Sequence, residues 1–113
     1  MLQLLKVSTV FSDIPGPRYI REGLYSGQDF RERILLPRLQ ECIDNGDILQ
    51  IDLDGTQGYG TSFLEEAFGG LIRVNNLSFS VVSEHIEIVS EEEPYLIDDI
   101  MEYLRDAENE RGK

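Results

Sequence analysis

Positive charge is scarce in this chain: ten Lys and Arg residues stand against 22 Asp and Glu, for a formal net charge of −12. The basic residues are scattered rather than gathered into a stripe, and Lys6 and Lys113 are the only lysines. A surface of this sign repels a phosphate backbone, so no nucleic-acid partner is expected, and the acidity serves solubility or steering toward a basic protein surface. Cysteine is reduced to Cys42, which excludes an internal disulfide. Its place among apolar residues of a helical pattern predicts a small buried hydrophobe. His85 is the only histidine. It has no thiolate cluster for company, so a surface histidine is expected, with no metal site and no cofactor. No apolar run approaches the roughly 18 residues of a membrane span. No charged-then-apolar leader opens the chain, so a cytoplasmic protein with no membrane partner is expected.

What is present suffices for one core. At 113 residues and 41% hydrophobic content, a single domain over 1–113 is expected, with the tail from 107 frayed. Residues 2–11 are rich in apolar and β-branched side chains and predict a first strand. Ser12 to Pro17 is a turn by its proline and glycine chemistry, and 18–24 predicts a short second strand. From Gln28 to Ile43 the apolar residues Phe30, Ile34, Leu35, Leu39, Cys42 and Ile43 make a helical stripe. Pro37 interrupts it, predicting a kink or a break and restart near Leu36. Asn45-Gly46 is a left-handed helix stop, and Ile48, Leu49, Ile51 and Leu53 form a buried parallel strand.

A second helix carries Phe63, Leu64, Ala67, Phe68, Leu71 and Ile72 on its apolar face, with Glu65 and Glu66 on the other. Gly69-Gly70 would weaken it in isolation, which predicts close packing of that turn against a neighbour. Phe79 to Val89 predicts another strand, with Val82, Ile86 and Ile88 on one face. A last helix begins at Pro94 and buries Leu96, Ile97, Ile100, Met101 and Leu104. Strands alternating with helices imply an α/β (α+β) fold: a mixed, mainly parallel sheet of four to five strands with helices mostly on one face.

The chain is organised around Asp52 to Gly70, a strand end running through glycines into a helix. Asp52-Leu53-Asp54-Gly55-Thr56 resembles the first motif of haloacid-dehalogenase-type phosphatases. That resemblance implies Asp52 as nucleophile, Asp54 as general acid/base and a Mg²⁺ ion neutralising the phosphate. The surroundings depart from that family: some fifty residues precede the motif and the only lysine downstream is Lys113. Asp98-Asp99, which imitate the family's further acidic pair, fall in a helix. Asp52 and Asp54 otherwise read as strand-end acids facing water or holding turn amides. Gly58-x-Gly60 permits a third reading, weak nucleotide binding on helix N-terminal amides.

The longer match runs from Ser26-Gly27-Gln28-Asp29-Phe30-Arg31-Glu32 through Leu36-Pro37 and Ile51 to Thr56. It continues through Gly58-Tyr59-Gly60-Thr61-Ser62-Phe63-Leu64-Glu65-Glu66-Ala67-Phe68-Gly69-Gly70-Leu71. It resembles a bacterial STAS-like family of unknown function, related to the anti-sigma-factor antagonists. The resemblance implies a non-enzymatic regulatory domain that works by protein–protein interaction. It also implies a partner switch in which a histidine-kinase-like ATPase phosphorylates a hydroxyl at the helix start. Thr61 falls at the acceptor position of the wider group, although Gly60 and Phe63 replace its flanking Asp and Gly, and Ser62 fits the Ser-Phe of the STAS-like family. Tyr59, Phe63, Glu65 and Glu66 are the expected partner contacts. Beside this stands a purely structural alternative: Ser62-Phe63-Leu64-Glu65 is a capping box, in which Thr61 or Ser62 serves only as the N-cap. Arg18 and Arg21, near a turn, read as solvated charges.

Overall fold

A computed structural model describes residues 1–111. Three strands form its sheet: β1 Leu2–Lys6, β2 Ile48–Asp52 and β3 Ile86–Val89, in the order β1-β2-β3. Both ladders are parallel, pairing Leu5 with Ile51 and Ile51 with Ile88. The expected four to five strands in a mixed sheet are therefore corrected, among the described residues, to three strands all running the same way. Strand alternation divides the sheet into a face that buries Leu5, Leu49 and Ile51 and a face that leaves Leu2 and Leu4 exposed.

One expected strand is absent and two are shorter than expected. The first strand stops at Lys6 because the chain coils into the single turn α1, Val7–Val10, where Phe11 and Ser12 both donate N–H to the Val7 carbonyl at 3.0 Å. Residues 18–24 form no strand. The segment folds back on itself instead: Gly16 N–H donates to Tyr25 O, Gly27 to Pro17 O and Gln28 to Arg18 O. A 3₁₀ turn, Ile20–Glu22, lies between. The predicted strand over Phe79–Val89 is half helix. Ser78 Oγ accepts the Val81 N–H at 3.1 Å and starts α6, Phe79–His85, before the chain extends as β3. Val82 and Ile86, four residues apart, are spaced for a helix as well as for a strand, and the cap decides between the two.

The first long helical run comprises α2 Gly27–Phe30, a widened π turn Arg31–Leu35, and α3 Leu36–Asn45. Ser26 caps it by accepting the Asp29 N–H. The break and restart expected near Leu36 is corrected: the backbone stays right-handed helical through Leu35 and Leu36, and a π turn rather than a break accommodates the proline. Leu36 N–H reaches back five residues to Arg31 O, and Pro37 then sits in the first turn of α3, where its missing N–H costs little. Gly46 ends α3 at φ 71°, as its left-handed role requires. A second run comprises α4 Thr61–Leu64, another π turn Glu65–Gly69, and α5 Gly70–Arg73.

The last helix, α7, spans Tyr95–Arg111. It continues past the point where fraying is expected: Ala107 is buried, and Arg111 donates to the carbonyls of Asn76 and Leu77. Residues 112 and 113 of that expected tail lie outside the described residues. Phe30 and Phe63 stack at 5.9 Å in the core, with Phe11 against both and Tyr59 against Phe63. Gly27 lets α2 approach α4 closely, since a Cβ there would run into the Phe63 backbone. The start of α4 is thus braced from two sides.

Candidate functional site

The strand-end acids organise the loop after β2. Asp52 pairs with Lys6 at 3.2 Å and accepts the Asp54 N–H at 2.9 Å. Asp54 accepts the N–H groups of Glu91 and Glu92, both at 3.0 Å, tying the end of β2 to the turn before α7. Those two amides, with help from Lys6, hold the Asp54 carboxyl below its ordinary pKa. Gly55, at φ 93°, donates its N–H to Glu92. Both carboxylates that could be taken for a phosphatase pair therefore do structural work. Among the described residues no three His, Cys, Asp or Glu side chains converge as metal ligands would. Thr56 accepts the Gly58 N–H, and Gln57 N–H donates to Asp13 O, which closes the glycine loop against the segment after α1.

The helix start differs from a capping box. The N-cap is Gly60, with no side chain to accept an amide, and Thr61 and Ser62 are already helical. Both are exposed. Glu65, which a capping box would turn back toward the N-cap, instead holds Arg18 and Arg73. The structural alternative for the two hydroxyls is thereby removed. Of the expected partner contacts, Tyr59 is half-buried, with its hydroxyl donating to Leu53 O at 2.8 Å, and burial pushes its phenol above the ordinary pKa. Phe63 is only 1% exposed, inside the aromatic cluster. Glu66 is 4% exposed. Neither Phe63 nor Glu66 offers a partner any surface in this conformation, because the helix turns both toward the interior.

Beneath the helix start lies a charge network that sequence reading does not reveal. Arg31, 2% exposed, sits in the first π turn and forms a buried ion pair with Glu66 in the second. It also donates to the Glu66 carbonyl at 2.9 Å. Glu65 binds Arg18 and holds Arg73 through two hydrogen bonds at 2.8 and 3.2 Å. Burial works to raise the Glu65 pKa, but those arginines outweigh it and hold the carboxyl below its ordinary value. Gly70 is the condition for this arrangement, since a side chain there would overlap the Arg31 guanidinium. The close packing predicted at Gly69-Gly70 is therefore against an arginine. Arg18, read as a solvated charge, belongs to the network, whereas Arg21 lies over the Tyr19 ring at 4.6 Å. The available signal is Arg31 within an apolar stripe together with a glycine pair 38 residues on in the sequence.

Other expectations resolve simply. Cys42 is buried, and burial raises its thiol pKa. His85 closes α6 rather than lying on a strand, its Nδ1 2.7 Å from the Val81 carbonyl. The Tyr103 phenol of α7 is raised by burial and by the Asp99 carboxylate, against a hydrogen bond with Thr61 that pulls the other way.

A family model described as "STAS-like domain of unknown function (DUF4325)" matches residues 26–96, more than half of the chain and the whole stretch from the Ser26 cap to the start of α7. Among curated proteins and among solved structures no match to the chain is found.

Proposed function

We propose, from the premise that the chain belongs to the STAS-like domains of unknown function, that it is a regulatory protein-interaction domain. Its partner binding is set by phosphorylation at the start of α4. The observation that carries this reading is the pair of exposed hydroxyls, Thr61 and Ser62, on a helix whose N-cap has no side chain to engage them. A hydroxyl with no capping duty is free to be modified without unfolding the helix, and the amide dipoles of the first turn favour an added negative charge. Exposed apolar groups stand nearby: Ile14, Leu24 and Tyr25 lie on the segment braced to this region through Asp13 and Gly27. A partner covering such groups would lose affinity when a dianion appears at its edge, by repulsion and desolvation.

The kinase in this reading is a histidine-kinase-like ATPase, and its ATP places the exchange in the cytoplasm. In this reading the domain is non-catalytic, which the engagement of Asp52 by Lys6 and of Asp54 by turn amides supports. Incubation with ATP and each histidine-kinase-like ATPase encoded nearby, followed by intact-mass measurement, is expected to show one added phosphoryl group. An unmodified mass with every such enzyme counts against the reading. So does Mg²⁺-dependent release of phosphate from an aryl phosphate that is abolished by Asp52→Asn.

A further inference from the structure

Among the described residues the sheet carries helices on its core face, where α3 and α6 place Leu39, Cys42 and Val82 with Leu5, Leu49 and Ile51, and its other face is open. The ladders pair Leu2 with Ile48, Leu4 with Gln50, Lys6 with Asp52 and Gln50 with Glu87, so these side chains share the open face. Leu2 is 47% exposed there and Leu4 65%. Sheets whose strands all run parallel are almost always covered on both faces. The open face is also nearly free of net charge, in a chain that carries −12. Lys6 pairs with Asp52 at 3.2 Å, and Glu87, which accepts from Gln50 at 2.7 Å, is the one charge left over among these strand positions. The sequence before Asp13 contains no acid at all.

We propose that a second copy of this chain docks on the open face, sheet against sheet, so that Leu2 and Leu4 of each copy are covered by the other. The inference is independent of the regulatory reading and concerns a different surface. Two molecules of charge −12 repel one another, and they approach at least cost where each is locally compensated. The open face meets that condition, and its lack of excess acid gives a basic partner little to grip. Docking through the free edge of β1 is disfavoured, because Arg38 donates to the Leu4 carbonyl at 2.8 Å and the Thr9 hydroxyl to the Lys6 carbonyl at 3.2 Å. Strands about 4.8 Å apart, with about 3.3 Å of rise per residue, make this a face of roughly 14 by 16 Å. That falls short of the roughly 800 Å² that each side of a stable complex buries. The pair is therefore weak and reversible, with a dissociation constant on the order of 100 µM.

Sedimentation equilibrium of the full 113-residue chain tests the pairing, from about 10 µM to about 1 mM protein and at about 50 mM and about 500 mM sodium chloride. A monomer–dimer equilibrium is expected that tightens with salt, because screening removes the repulsion between two acidic molecules and leaves the apolar contact intact. Leu4→Glu places a charge in the interface from both copies, and is expected to raise the dissociation constant at least about tenfold. Leu4→Gln, which adds no charge, is expected to raise it in the same direction by less. Leu24→Glu is the control: Leu24 is 80% exposed and lies outside the sheet, and the same added charge there is expected to leave the dimer in place. A parent chain that stays monomeric at about 1 mM in the higher salt overturns the pairing and leaves the face to a different protein. A dimer that loosens as salt rises overturns it too, as does equal damage from Leu24→Glu and Leu4→Glu.

Discussion

At the scale of the residue, a short distance along one helix separates a free hydroxyl from a core side chain. Phe63→Ala removes a ring that stacks on Phe30 and touches Phe11 and Tyr59. It is expected to cost about 3–5 kcal/mol of unfolding free energy, measured by denaturant titration. Thr61→Ala and Ser62→Ala, two residues and one residue earlier, are expected to stay within about 0.5 kcal/mol. Asp54 makes a prediction about pH. Its folded pKa is lowered by the amides of Glu91 and Glu92, so its contribution is present above the unfolded value and is lost as pH falls through the folded one. Urea midpoints measured from neutral to acid pH are expected to fall less steeply in Asp54→Asn than in the parent chain, and an unchanged slope removes this role. The turn-holding role of Asp52 and Asp54 is legible in sequence, since acids at a strand end before glycine have amides within reach. The burial of Glu66 is not, because an acid beside another acid on a helix reads as solvent-facing until its arginine is known.

At the scale of the element, the two π turns and the ion pair between them set the geometry of the α4 start. Glu66→Ala leaves Arg31 charged and buried with only the Glu32 carboxylate at 3.7 Å, and is expected to cost about 3 kcal/mol. Arg31→Met combined with Glu66→Met is expected to recover most of that loss, as buried pairs replaced by apolar groups often do. Gly70→Ala should also destabilise, reversing the gain of up to about 1 kcal/mol that alanine usually brings to a helix, because its methyl would meet the Arg31 guanidinium. Thermal melts of these variants give the signs directly. The helices over 27–45 and 61–73, the last helix as far as 107, the Gly46 stop and a disturbance of the helix at Pro37 could be read from periodicity and from proline and glycine chemistry. The absence of a strand at 18–24 and the helix at 79–85 could not. Over so few residues apolar spacing suits either period, and the choice was made by the Ser78 cap and by backbone bonds that close 16–28 on itself.

At the scale of the molecule, a three-stranded parallel sheet presents its central strand end, the acid-held loop and the α4 start on one continuous stretch of chain. The resemblance read from residues 26–71 agrees with the family model over 26–96. Sequence could identify the family because its signature lies in contiguous loop and helix-start residues. It could not set the strand number, which depends on how weakly patterned segments pack. With a net charge of −12, the chain is suited to a basic partner surface, and added phosphate would deepen the charge at the edge of that contact. The central claim is that this surface is switched by phosphorylation at the helix start. Intact-mass spectrometry after exposure to ATP and the nearby histidine-kinase-like ATPases tests it most directly, comparing the parent chain with the Thr61→Ala, Ser62→Ala double variant. One added phosphoryl group on the parent and none on the double variant is the predicted result. No addition to the parent, or an addition that persists in the double variant, contradicts it.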